Sequence, residues 1–213
     1  MIAPADGAPA AGFYAAALAG APLRAVVAGD RAVAVPTARW LGPVEPADVA
    51  VLARAVGPVL DVGCGPGRHV AHLARQGVTA LGIDASRAAV RHARERGAPV
   101  VHGDVFGPVP GAGSWHSALV LDGNVGIGGD PVRLLGRVRQ LVCPGGRVLV
   151  ELSPPGAPSG PLAVRLEAAG VRSAPLPWAT VAADAVRRIA AASALQVMDS
   201  FCAHGRWFAT LRR

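Results

Sequence analysis

The sequence predicts an α/β fold in which helices wind both faces of a mostly parallel sheet. Three observations carry that expectation. Apolar runs of strand length alternate with segments of helical spacing between residues 46 and 152, and Gly or Pro punctuates the joins. Two strand-and-helix units follow one another at the start of that stretch, which implies a parallel sheet. The chain then ends on two β-rich runs joined by a short turn, which reads as an antiparallel hairpin.

Bulk properties narrow the class further. At 213 residues the chain is long enough for one well-buried core and too short for two large domains. A hydrophobic content of 52% with only 4% aromatics suits closely packed helices and strands and disfavours disorder. All 21 basic residues are Arg, and the net charge of +7 is spread along the chain. The densest stretch, Arg87, Arg91, Arg94 and Arg96, falls on one helix and forms no stripe of the kind that nucleic acid demands. Cys64, Cys143 and Cys202 are widely spaced, without a CxxC pair or a zinc-ligand pattern, so no metal is expected and a reducing cytoplasm fits best. The N-terminus has no basic region ahead of its apolar stretch, and Arg24 interrupts that stretch before it reaches spanning length; neither a secretory signal nor a membrane segment is expected.

The first dozen residues read as a mobile tail, and residues 12–28 as a short helix or two. Residues 1–45 together form an N-terminal tail and helical lid segment, and 46–213 the main domain. Residues 46–56 have helical spacing behind an acidic start and stop at the Gly57-Pro58 turn. Val59 to Val62 is the first strand of the alternating stretch, ended by GCGPG and followed by the helix RHVAHLARQG, which Gly77 closes. TALGID is the next strand, and SRAAVRHARERG its helix, with Ser86 as N-cap. Residues 99–102 and 117–121 are two further strands. After the second of these, the glycine-rich loop DGNVGIGGDP leads into a helix capped by Asp130 with Pro131 in its first turn. Pro144-Gly145-Gly146 turns the chain into the strand RVLVEL. Residues 153–177 are rich in Pro and Gly and break the alternation, which predicts an irregular, pocket-covering insert. Thr180 then caps a helix, and LQVMDSF with RWFATLRR supplies the hairpin around Ala203-His204-Gly205.

The chemistry concentrates at strand ends. A strand closing on Asp61, followed by Gly63, Gly65 and Gly67 and then a helix, lets backbone approach a ligand beside unpaired helix N–H groups. Asp84, ending the next strand, is placed to accept hydrogen bonds from both hydroxyls of a ribose, and Asp104 can bind an exocyclic amine. Dinucleotide enzymes want GxGxxG, whose third glycine would here be Arg68; the sequence offers GxGxG instead, which disfavours a nicotinamide-dependent oxidoreductase.

VLDVGCGPGRHV, LGIDAS, GDVF and LVCPGGRVLVEL resemble the successive motifs of class I S-adenosylmethionine-dependent methyltransferases, closely over 59–152 and more loosely over the terminal hairpin. The resemblance implies a Rossmann-like, seven-stranded sheet with its last antiparallel strand inserted beside the fifth. It also implies S-adenosylmethionine as cofactor, leaving as S-adenosylhomocysteine. Asp61, Gly63, Cys64 and Gly65 would then bind the methionine end, Asp84 and Ala85 the ribose, and Asp104 and Val105 the adenine, with Leu121 beside them. Leu121-Asp122-Gly123-Asn124 would line the place where the methyl group meets its acceptor. Asp122 is the first candidate for a catalytic carboxylate, with Asn124 as its orienting partner, although Asp122-Gly123 equally shapes a turn.

The Asn/Asp-Pro-Pro-Tyr signature of base-amino methylation is missing here. With no recognition domain or aromatic stacking ladder visible, a small organic acceptor is the leading expectation. An RNA or protein methyltransferase is the enzyme alternative, and a non-catalytic cofactor-binding or partner-binding module the other. His69 and His72 read as packing or solvent residues. Trp178 reads as an acceptor-pocket wall or an aromatic anchor, and Arg39-Trp40 as part of a lid or a helix contact.

Overall fold

The structure, a computed structural model, describes residues 7–27 and 30–213. Of the expected tail, residues 1–6 lie outside the described residues, as does residue 28 of the expected N-terminal helices. Helix α1 spans Ala10–Leu18, strands β1 and β2 Arg24–Val27 and Arg31–Ala34, and helices α2 and α3 Thr37–Leu41 and Pro46–Leu52. The alternating region follows: β3 Val59–Val62, α4 Arg68–Arg75, β4 Ala80–Asp84, α5 Arg87–Glu95, β5 Val100–His102 and β6 Trp115–Val120. A kinked 3-10 segment, Asn124–Gly129, leads into α6 Pro131–Leu141 and β7 Val142–Leu152. The remainder is β8 Gly160–Ala168, β9 Val171–Arg172, β10 Leu176–Thr180, α7 Val186–Ala192, β11 Gln196–Ala203 and β12 Arg206–Arg212.

The main sheet has seven strands in the order β11-β12-β7-β6-β3-β4-β5. Strands β3 to β7 run parallel, and β12 is antiparallel to both β7 and β11, so the hairpin slots its second strand beside β7 as expected. The chain order reverses between β3 and β6, and open α/β sheets bind ligands at the carboxyl ends of the strands that flank such a switch point. Local chemistry holds the helices in register. Ser86 Oγ accepts from Ala89 N, Asp130 Oδ1 from Arg133 N, and α3 begins in a capping box between Glu45 and Asp48. Two apolar cores cover the faces of the sheet, one around Leu134, Leu135 and Val150, the other around Val51, Val70 and Phe208.

Outside this sheet the structure corrects several expectations. Residues 153–177 are not irregular: β8 and β10 pair antiparallel, β8 pairs in turn with β1, and β1 with β2, giving a second sheet ordered β10-β8-β1-β2. The N-terminal segment therefore contributes two strands as well as its helices. Leu162, Val164, Leu166 and Ala168 alternate inward along β8, a period of two that its flanking Gly and Pro obscure. Pro177 is tolerated because β10 is an edge strand. Thr180 ends β10 and donates to Pro158 O, so the following helix starts only at Val186. Buried Phe13 of α1 fills the underside of this second sheet with Leu23 and Ala168.

The second sheet docks on the first through the 3-10 segment. A Cβ on Gly126 would lie 2.5 Å from Trp178 Nε1 and collide with the Ala179 carbonyl, so only glycine admits β10 at this distance. Gly126→Ala is expected to cost about 1–3 kcal/mol through overpacking. Thermal unfolding should show this as a midpoint lowered by roughly 2–4 °C per kcal/mol; an unchanged midpoint would mean the contact is not tight.

Candidate active site

β3 ends at Val62, and the chain turns through Gly63, Gly65 and Gly67 with φ of 68°, 55° and 77°, a region that side chains with a Cβ rarely adopt. Two side chains fix this loop. Asp84 Oδ2 accepts from Gly65 N at 2.8 Å and Oδ1 from Ser86 N at 2.7 Å. Burial raises the Asp84 carboxyl above its ordinary pKa, and these two bonds work against that rise. From the opposite side Asn124 Nδ2 donates to Val62 O at 2.9 Å and to Gly63 O at 2.8 Å. The Cys64 side chain turns away into the core against Gly82, and burial pushes its thiol well above the usual range, which leaves no reactive thiolate.

The other expected cofactor residues lie along the same edge. Ala85 is exposed, and its carbonyl pairs with His102 Nε2 at 3.1 Å. Asp104 is exposed just beyond β5, with Oδ1 accepting from Phe106 N, above a buried Val105. Leu121 packs in the core, so only its main chain reaches the edge. Asp61 is 2% exposed, and its Oδ2 lies 3.5 Å from His69 Nδ1.

At the β6 end the structure assembles a network of charges that the sequence did not show. Asp48, fully buried, accepts from Arg68 Nη1, from Arg206 Nη1 at 2.6 Å and from Glu45 N at 2.7 Å, with His69 Nε2 at 3.4 Å. Asp122, in the left-handed region at φ 55°, takes Arg68 Nη2 on both oxygens at 2.9 Å, Arg39 Nη2 at 3.1 Å and Arg206 Nη2 at 3.3 Å. Arg206 also grips Glu151 through Nε at 2.8 Å and Nη2 at 2.7 Å, and Asp122 N donates to Glu151 Oε2 at 2.6 Å. Burial alone would raise the Asp48 carboxyl; the bonds from His69 and Arg68 hold it far below the usual range instead. Burial likewise disfavours a charged His69, but Asp48 and Asp61 beside it raise its pKa from 6.5 to about 9.

The N-terminal segment roofs the loop. Tyr14 of α1 sets its hydroxyl 3.1 Å from where a Gly65 Cβ would be, and its ring packs edge-on against Trp40 at 5.8 Å. Burial, then the nearby Asp84, raises the phenol above its normal pKa. Beside the 3-10 segment opens a cleft of ≈ 170 Å³, walled by Gly123, Val125, Glu151, Ser153, Trp178 and Thr180 among others. Its carboxylate is Glu151. Asp122 and Asn124 face the arginines and the glycine loop and do not line it.

Sequence reasoning thus brought Asp61, Gly63, Gly65, Asp84, Asp122 and Asn124 to one place, but passed over Asp48, Glu151, Arg206 and Tyr14, and treated Arg68 only as a missing glycine. The available signal was a charge inside an apolar run, as in RVLVEL and RWFATL. Among the described residues, no group of three or more His, Cys, Asp or Glu could hold a metal ion, and no helix is long and apolar enough to cross a membrane.

The family model for methyltransferase domains matches residues 59–146, from β3 into β7. No curated protein matches the sequence. Among solved structures, a SAM-dependent methyltransferase from Bacteroides fragilis, in complex with S-adenosyl-L-homocysteine, is similar at a TM-score of 0.78 and 21% identity, over 99% of this chain and 97% of that one. The 1,6-didemethyltoxoflavin-N1-methyltransferase of Burkholderia thailandensis is similar at 0.61 and 20%, over 79% and 77%. The CcbJ methyltransferase of Streptomyces caelestis is similar at 0.62 and 20%, over 82% and 91%. At these identities the solved structures establish a shared fold.

The raised pKa of His69 makes stability depend on pH. The contribution of the charged imidazole, roughly 3 kcal/mol for a shift from 6.5 to about 9, is complete below pH 6.5 and is lost as pH rises through 9. Urea unfolding at pH 6, 7.5 and 9 should show this decline in the native protein and a flatter profile in His69→Gln; parallel profiles would exclude His69 as its source.

Proposed function

We propose that this chain, whose residues 59–146 match the model for methyltransferase domains, is a class I S-adenosylmethionine-dependent methyltransferase that methylates a small organic acceptor held beneath Trp178. The observation that carries the acceptor class is the cleft itself. It adjoins the β6 end and is roofed by the second sheet, and its ≈ 170 Å³ falls below the range of about 300–1,000 Å³ common to drug-sized ligands. A space of that size takes a small molecule or its reacting end. The Burkholderia enzyme, with 1,6-didemethyltoxoflavin bound, has a small-molecule acceptor on the same fold.

The residues at the glycine loop fit the cofactor. Gly63 and Gly65 present bare backbone, and each Asp84 oxygen uses one lone pair on an N–H, leaving others for two ribose hydroxyls. We infer that Asp61 and the main chain of Gly63, Cys64 and Gly65 face the methionine end. Asp84 and Ala85 then hold the ribose, Asp104 and Val105 the adenine, and Leu121 contributes main chain. S-adenosylmethionine supplies an electrophilic methyl group on sulfur and leaves as S-adenosylhomocysteine.

The protein's share of the reaction is to align the acceptor and exclude water, which can account for most of the acceleration in a displacement of this kind. Trp178 and Val125 give the acceptor an apolar bed, and Glu151 offers its N–H or O–H a hydrogen-bond acceptor. Asp122 and Asn124 act here as positioning residues: Asp122 through its N–H to Glu151, Asn124 through its grip on the loop.

S-adenosylhomocysteine at about 100 times its Kd should stabilise by about 2.7 kcal/mol, raising the unfolding midpoint by roughly 5–10 °C, while NAD leaves it unchanged. In Asp84→Ala the Kd should rise at least about tenfold through the loss of charge-assisted bonds; an unaltered Kd would remove Asp84 from the ribose site. Trp178→Ala should raise the acceptor KM at least about tenfold and leave the S-adenosylhomocysteine Kd unchanged. If a panel of small amines, phenols and heteroaromatics released no S-adenosylhomocysteine with the native protein, the small-acceptor reading would fall.

A further inference from the structure

Buried polar atoms pair almost without exception, so those that do not are informative. Among the described residues five buried side-chain atoms have no hydrogen-bond partner, and four of them sit around the glycine loop: Arg39 Nε, Trp40 Nε1, Arg68 Nε and Asp61 Oδ2. The fifth, Thr210 Oγ1, belongs to β12. Arg39 and Arg68 both bond Asp122 Oδ1; Trp40 follows Arg39 in α2 and packs on Tyr14, whose hydroxyl lies over Gly65; Asp61, one residue before the end of β3, faces the His69 imidazole at 3.5 Å, beside Arg68 in the chain.

The chemistry of the four is asymmetric. Three are N–H donors, two of them on guanidinium groups, and one is a carboxylate oxygen. Arg68 and Asp61 are 3% and 2% exposed, so water cannot readily satisfy either. Donors on cations beside a buried carboxylate are the complement of an α-amino acid, whose carboxylate needs the first and whose ammonium needs the second. The methionine end of S-adenosylmethionine is such a group.

We propose that Arg39 Nε and Trp40 Nε1 bind the α-carboxylate of the cofactor's methionine moiety, which makes the N-terminal helix α2 part of the cofactor site. The proposal rests on the cofactor reading above and adds two ligands from outside the matched residues 59–146. The two Nη atoms of Arg68 are committed to Asp48 and Asp122, which fixes its guanidinium in place. Arg39 keeps one Nη on Asp122 throughout, so the group that holds the carboxylate is itself anchored to the end of β6.

The test compares two ligands that differ at this end. Titration calorimetry of the full chain with S-adenosylhomocysteine and with 5′-methylthioadenosine, which lacks the amino-acid group, separates the carboxylate from the nucleoside. Arg39→Gln should weaken S-adenosylhomocysteine at least about tenfold and change methylthioadenosine less than twofold. Trp40→Phe, which removes the N–H and keeps the ring, should act in the same direction and keeps the test available should Arg39→Gln fail to fold. Equal losses for both ligands, or no loss for either, would overturn the proposal while leaving the cofactor assignment intact. If neither ligand bound the native protein, the cofactor reading itself would fall, and this proposal with it.

Discussion

Everything near the site depends on two buried carboxylates, Asp48 and Asp122, being shared by Arg68 and Arg206. Charges withdrawn from water are costly, and attraction between them compensates only where geometry is good and the remaining polar atoms find partners. Here each guanidinium bridges two or more acids, and the acids come from α3, β6 and β7, the arginines from α4 and β12. The network also reaches α2 through Arg39. Arg39, Arg68, Arg206 and a protonated His69 face Asp48, Asp61, Asp122 and Glu151, with the exposed Glu45 at the margin, so loss of the His69 proton would leave the buried acids in excess. Losing Asp48 or Arg68, the most deeply buried pair, would strand a buried charge, a loss of about 3–5 kcal/mol in comparable cases.

That constraint decides what each acid is free to do. The oxygens of Asp122, just beyond β6, are taken by three arginines, and its main chain is held in a conformation unusual for a residue with a side chain. Its influence passes along the N–H that it gives to Glu151, the carboxylate facing the cleft. Asn124 likewise spends its amide on the backbone of the glycine loop. Asp122 and Asn124, in the turn after β6, are therefore both engaged in holding neighbouring structure.

What could be read from the sequence divides along the same line. Local signals were sufficient for the main sheet: the alternation of Val59–Val62, GCGPG and the helix after it, the caps at Ser86 and Asp130, and the terminal hairpin are each written within a dozen residues. The second sheet was illegible because β1 pairs with β8, far along the chain, and the strand period of β8 is short and framed by Pro and Gly. The ion network is non-local in the same way. Nothing adjacent to Arg206 or Asp48 announces that they meet, whereas Asp84 and Gly65, whose partnership belongs to a strand–loop–strand unit, could be placed together in advance.

The pairing of Arg24 with Glu167 also sets an order of events during synthesis. β1 can pair at once with its neighbour β2, but its pairing with β8 has to wait for a strand made more than a hundred residues later, after the strands from β3 to β7. Contacts of such long sequence separation form slowly. The second sheet can thus close only after the parallel strands it docks on have been made, so that its completion is a non-local step separate from the local strand-and-helix units beneath it.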